Sequence, residues 1–155
     1  MHNALVRSLL AAAACLAALG ALAAGPIYPD VTSAKGDIDA AMKQARAERK
    51  RVLVDFGGNW CGDCKVLDAN FHKPENQALL DKGFVLVHVN VGDKGISDNF
   101  DVAERYGIPL KKGVPALAVL GSDGKVLLAQ KNGEFENMRK MDPASVHEFL
   151  EQWSR

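Results

Sequence analysis

The stretch RVLVDFGGNWCGDCKVLD, residues 51–68, decides the reading. Its first part, RVLVDF at 51–56, is short, apolar and β-branched, and reads as a buried strand. GGNW, 57–60, reads as a loop. CGDCKVLDANFH, 61–72, returns to helical spacing through Cys64, Leu67 and Phe71. The two cysteines of the C-G-D-C therefore fall where a strand ends and a helix begins.

Three uses of such a pair compete. Zinc wants four ligands, and C-x-x-C supplies two. No second C-x-x-C follows, and His72, His88 and His147 form no H-x3-H pair. A structural disulfide across so short a loop removes little chain entropy, because that stabilisation grows with loop length. Redox exchange suits the position better. At a helix start, backbone N–H groups and the positive end of the dipole favour an anion, which makes Cys61 the nucleophile. Cys64 lies one turn deeper on the same face, placed to attack a mixed disulfide on Cys61 and release the partner.

Upstream, DIDAAMKQARAERK, 37–50, places Ile38, Ala41, Met42 and Ala45 on one helical face, with Asp37 as its expected N-cap. GPIYPDVTSAKG, 25–36, reads as a flexible lead-in. Downstream come a helix over 74–83 between Pro74 and Gly83, a strand FVLVHVNV at 84–91, and a loop with a short helix at 92–107. VPALAVL (114–120), the turn GSDG (121–124) and KVLLAQ (125–130) read as a hairpin. MDPASVHEFLEQW, 141–153, closes as a helix with Asp142 as N-cap and Pro143 at its first position. Alternating helices and strands imply a three-layer α/β/α sandwich, with parallel strands and an antiparallel edge from the hairpin.

The first 24 residues read as a signal rather than fold. Arg7 precedes the apolar run SLLAAAACLAALGALAA, and Ala21-Leu22-Ala23 is an A-x-A cleavage site, with Ala24 an equal choice. Two alternatives stand beside cleavage: an uncleaved membrane anchor, and lipidation at Cys15. After cleavage only Cys61 and Cys64 remain, in a compartment that permits disulfides. The 155 residues suit one domain, expected over 37–155. Their 19 basic and 19 acidic side chains show no basic stripe, which argues against nucleic acid.

VDFGGNWCGDCK resembles the active-site segment of the thioredoxin superfamily, where a buried aspartate strand leads to W-C-x-x-C-K. YGIPLKKGVPALAVL, 106–120, is similar to that superfamily's second signature, Y-G-I followed by a V-P strand start. The two motifs stand in the right order, and the resemblance covers residues 37–153. It implies a thioredoxin-like fold with a mixed central sheet and an N-terminal helical extension. It makes Cys61 the attacking and Cys64 the resolving cysteine of a redox-active disulfide, with no bound cofactor or metal. Trp60 would shield the pair and meet partners. Pro115 would be a cis-proline facing the cysteines, with Val114 pairing to substrate backbone. Asp55, costly to bury unless it has a purpose, would take and return the proton of Cys64. His88 falls where thioredoxins carry a lysine, which makes it the expected partner of Asp55.

The sequence departs from thioredoxin at four places. Gly62-Asp63 replaces Gly-Pro. An exposed Asp63 carboxylate beside the thiolate would raise the Cys61 pKa and make the pair more reducing, while also favouring the helix start. GGN precedes Trp60, and its glycines permit close approach of another backbone. PLKK brings Lys111 and Lys112 beside the expected docking groove, either to steer an acidic partner or as a solvated loop. NGEFENMRKM, 132–141, is longer than in compact thioredoxins. These features look closer to exported thioredoxin-like proteins related to the soluble domains of thiol:disulfide interchange proteins than to cytosolic thioredoxin. The expected function is thiol:disulfide oxidoreduction in the periplasm or outside the cell. The chain would act as a monomer, reducing protein disulfides with electrons from a membrane donor. The alternative is a metal-carrying or chaperone module that uses the same cysteines without turnover.

Overall fold

The structure is a computed structural model that describes residues 25–154. The expected signal segment, its Ala23/Ala24 cleavage site and Cys15 lie outside the described residues. The elements run α1 (Ala34–Glu48), β1 (Arg51–Gly57), α2 (Gly62–Phe71), α3 (Pro74–Gly83), β2 (Phe84–Asn90), α4 (Phe100–Arg105), β3 (Ala116–Leu120), β4 (Val126–Ala129) and α5 (Ala144–Trp153). Short 3-10 turns occupy Val31–Ser33, Leu110–Lys112 and Met138–Lys140.

The sheet order is β2-β1-β3-β4. β1 and β2 pair in parallel, whereas β3 runs antiparallel to β1 and β4 antiparallel to β3. Antiparallel pairing therefore takes in the whole hairpin rather than its outer strand alone. Alternation along the strands divides the core. Val52, Val54 and Phe56 pack with Ile38, Ala41 and Ala45 of α1 on one face. Leu53, Leu117 and Val119 pack with Leu67, Phe71, Leu80, Val146 and Leu150 of α2, α3 and α5 on the other. The result is the three-layer sandwich with a mixed sheet.

Two helix starts differ from the expected ones. α1 begins at Ala34, and Asp37 sits inside its first turn, where its carboxylate accepts from the Ser33 hydroxyl. An acidic side chain in the first turn still favours the helix through its dipole. α5 begins at Ala144; the Asp142 carboxylate still accepts from the Ala144 N–H at 2.9 Å, so the residue caps one position away. Residues 25–36, expected to be a loose lead-in, hold Tyr28 at 1% exposure and the start of α1. A ring that size, once buried, anchors the chain on both sides of it.

Candidate active site

Residue alternation builds the site. Side chains two apart on a strand share a face, so Asp55 and Gly57 lie with Leu53 on the face that α2 covers. In the parallel register His88 is the direct neighbour of Asp55. Its Nδ1 lies 2.9 Å from Asp55 Oδ2, so the two residues that the sequence paired do meet.

Cys61 is the N-cap of α2, and it forms a disulfide with Cys64 in the first turn. The Cys64 N–H donates to Cys61 Sγ at 3.1 Å, one of the orphan donors that every helix start must satisfy. Cys61 is 4% exposed and Cys64 fully buried. The Val114 carbonyl lies 3.6 Å from Cys61 Sγ. The Val114–Pro115 peptide is cis and leads directly into β3. Trp60 folds back over Gly58, donates from Nε1 to the Gly92 carbonyl at 2.7 Å, and keeps 39% of its surface exposed.

The GGN segment admits a side chain, not another backbone. A Cβ at Gly57 would collide with the Tyr28 hydroxyl and would come within 2.8 Å of Cys64 Sγ. Asn59 then holds Tyr28 by both backbone groups: its Oδ1 accepts from the Tyr28 N–H at 3.0 Å and its Nδ2 donates to the Tyr28 carbonyl at 2.8 Å. The Tyr28 hydroxyl donates to Asp55 Oδ2 at 2.7 Å. Asp55 is fully buried, with two donors on Oδ2 and no hydrogen-bond partner for Oδ1 among the described residues. Hydrogen bonds to a charged group are worth about 1.5–3 kcal/mol, and they are what makes a buried carboxylate tolerable here.

These contacts shift the neighbours. Burial pushes the Tyr28 phenol far up, and the Asp55 charge pushes it further, so the hydroxyl stays a neutral donor. For His88, burial pulls downward, but the hydrogen bond and charge of Asp55, with the charge of Asp68, outweigh it and hold the imidazole above its ordinary value. Its Nε2 lies 3.8 Å from Asp68 Oδ1. Asp68 in turn meets His72, whose side chain is 64% exposed, so a line of titratable groups runs from Asp55 to the surface.

Asp63 is not the exposed carboxylate expected. It is 8% exposed and clamped by Arg139. The Arg139 backbone N–H donates to Oδ1 at 2.9 Å and its Nη2 to Oδ2 at 2.9 Å, with Nε 3.2 Å from both oxygens. The Arg139 hydrogen bond holds the Asp63 carboxyl below its usual range. The guanidinium also lies beside Gly62, 3.6 Å from where a Cβ would sit. A neutralised carboxylate cannot raise the Cys61 pKa as a bare one would. This contact accounts for the long 132–141 segment: Phe135 and Met138 bury into the α2–α5 layer and deliver Arg139 to the helix start. Lys111 and Lys112 are exposed and enter no ion pair among the described residues.

The sequence placed the cysteines, Asp55, His88 and the Val114–Pro115 step together, and the structure brings them together. Tyr28 and Arg139 escaped it. One signal was available: the two glycines at 57 and 58, where β1 ends, leave room that something else must fill. No three His, Cys, Asp or Glu side chains gather as a metal site among the described residues.

Comparison with known proteins agrees with this geometry. The Thioredoxin-like family model matches residues 32–122. The thiol:disulfide interchange protein DsbD of Pseudomonas fluorescens is 25% identical over an alignment of 141 positions that covers 84% of this chain. The chain spans 22% of that protein's length. A thioredoxin of Buchnera aphidicola is 31% identical over 100 residues, covering 64% of this chain and 82% of the relative. The crystal structure of a disulphide isomerase from Xylella fastidiosa superposes with a TM-score of 0.77 at 33% identity, over 83% of this chain and 97% of that one. The family model covers more than half of the chain, with Cys61, Cys64 and the Val114–Pro115 step inside it, and the chain belongs to the Thioredoxin-like family of thiol:disulfide oxidoreductases.

Proposed function

We propose that the protein reduces protein disulfides in an exported compartment through Cys61 and Cys64. The observation that carries this reading is the disulfide at the start of α2, with one sulfur at the rim and the other beneath it. In each turnover the Cys61 thiolate attacks a substrate disulfide and forms a mixed disulfide, releasing one substrate thiol. The Cys64 thiol gives up its proton, attacks Cys61 Sγ, and frees the second thiol. Asp55 takes that proton and returns it when the pair is reduced again. Val114 offers backbone hydrogen-bonding groups to the substrate chain, and Trp60 a flat apolar contact.

The arginine-bearing, apolar, A-x-A-ended first 24 residues support export. A reductant there needs electrons, so a membrane carrier is its expected donor. The deciding experiment equilibrates the chain with graded thiol buffers and traps free thiols. A potential near about −270 mV supports a reductant; one near about −120 mV means the protein makes disulfides instead.

A further inference from the structure

The Tyr28 hydroxyl donates to Asp55 Oδ2, and the space above the Gly57 Cα is shared by that hydroxyl and Cys64 Sγ. The phenol is 1% exposed, and no other hydroxyl side chain is hydrogen-bonded to Asp55 among the described residues. We propose that Tyr28 is the proton relay between Cys64 and Asp55.

The inference rests on the redox reading above. In the resolving step the Cys64 S–H bond breaks and its proton passes to the Tyr28 oxygen. The Tyr28 O–H proton passes to Asp55 Oδ2 in the same motion. The electron pair left on Cys64 sulfur forms the bond to Cys61 Sγ. The Cys61–substrate bond breaks, and the substrate sulfur leaves with its electron pair as a thiolate. When Cys61–Cys64 is reduced, the same path runs backwards and protonates Cys64. Tyr28 ends each transfer as it began, a neutral phenol, as its buried surroundings require.

Several contacts make this arrangement stiff enough for the task. Asn59, two residues before Cys61, fixes the Tyr28 backbone on both sides. The His88 imidazole meets the Tyr28 ring edge-on at 5.2 Å and holds the same Oδ2. A relay needs a fixed donor–acceptor line, and this hydroxyl cannot swing away without breaking a buried hydrogen bond.

The test is Tyr28→Phe, which keeps the ring and removes the hydroxyl. The reduced full chain is mixed with 5,5′-dithiobis(2-nitrobenzoate), and thionitrobenzoate release is followed in time. The first release reports attack by Cys61, and the second reports resolution by Cys64. The relay requires that Tyr28→Phe leave the first phase unchanged and slow the second by about 10- to 100-fold, up to the lower bound of what a positioned acid or base contributes. It also requires that the second phase of the native chain slow in D2O and that this isotope effect shrink in the variant. Equal second phases in the two proteins would overturn the relay while leaving the redox reading intact. A native chain with no second phase would overturn the redox reading itself. If Tyr28→Phe does not fold, the native isotope effect decides, and its absence rejects the relay.

Discussion

Cys61 and Cys64 share one disulfide, yet their surroundings differ in kind. Around Cys64 the groups are buried, hydrogen-bonded and few: Asp55, Tyr28 and, behind them, His88. Around Cys61 they lie at the rim: the Asp63–Arg139 pair, the Val114 carbonyl and the half-exposed Trp60. Burial amplifies every charge on the first side, whereas on the second the exposed Arg139 guanidinium opens the Asp63 pair to screening by water. The inner side is therefore where proton chemistry is set, and the rim is where partners are met.

Six substitutions probe that division, from the strongest effect downward. Cys61→Ser abolishes disulfide reduction, and Cys64→Ser traps mixed disulfides that appear on non-reducing gels. A Cys61→Ser chain that still reduces a test disulfide would break the assignment of roles. Asp55→Asn leaves Cys61 attack intact and slows resolution by about 100-fold, read as the second phase of thionitrobenzoate release. Equal loss in both phases would mean that the inner charge serves both sulfurs.

His88 tests the inner side through pH. Its folded-state pKa is raised, so the stability it contributes is fully present below about pH 6.5 and is lost as pH rises through the folded value. Denaturant midpoints of the native chain should fall as pH rises above about 6.5, and those of His88→Gln should fall less. Identical slopes would take His88 out of the buried network. At the rim, Arg139→Gln leaves Asp63 uncompensated and makes the potential more negative, whereas Asp63→Asn makes it less negative. Each shift should stay within about 20 mV, because the Arg139 guanidinium is largely exposed and water screens the pair. Shifts well beyond that would make the rim as influential as the interior.

The sequence read well wherever the information was local. The β-branched run RVLVDF and the C-x-x-C at a helix start placed Cys61 and Cys64, and the resemblance of VDFGGNWCGDCK to the thioredoxin segment supplied Asp55 and, through it, His88. It read poorly wherever two distant segments meet. Arg139 reaches Asp63 across 76 positions, and Tyr28 reaches Asn59 across 31. Nothing in NGEFENMRKM announces that one arginine folds back onto a helix start. The lead-in looked loose because Pro and Gly break regular structure, yet they do not prevent one aromatic ring from docking. Asp63 was misjudged for the same reason: an aspartate in a first helical turn is ordinarily solvated, and only the distant arginine buries it.

The recognisable family segment ends at residue 122 and begins at residue 32. Tyr28 lies just before it and Arg139 well after it. A recombinant fragment trimmed to that segment would keep both cysteines, the aspartate and the proline step, and would still look intact by motif. It would lack one hydroxyl from the interior and one guanidinium from the rim. The working boundaries of this enzyme are set by what touches the motif, and they run wider than the motif's own inheritance.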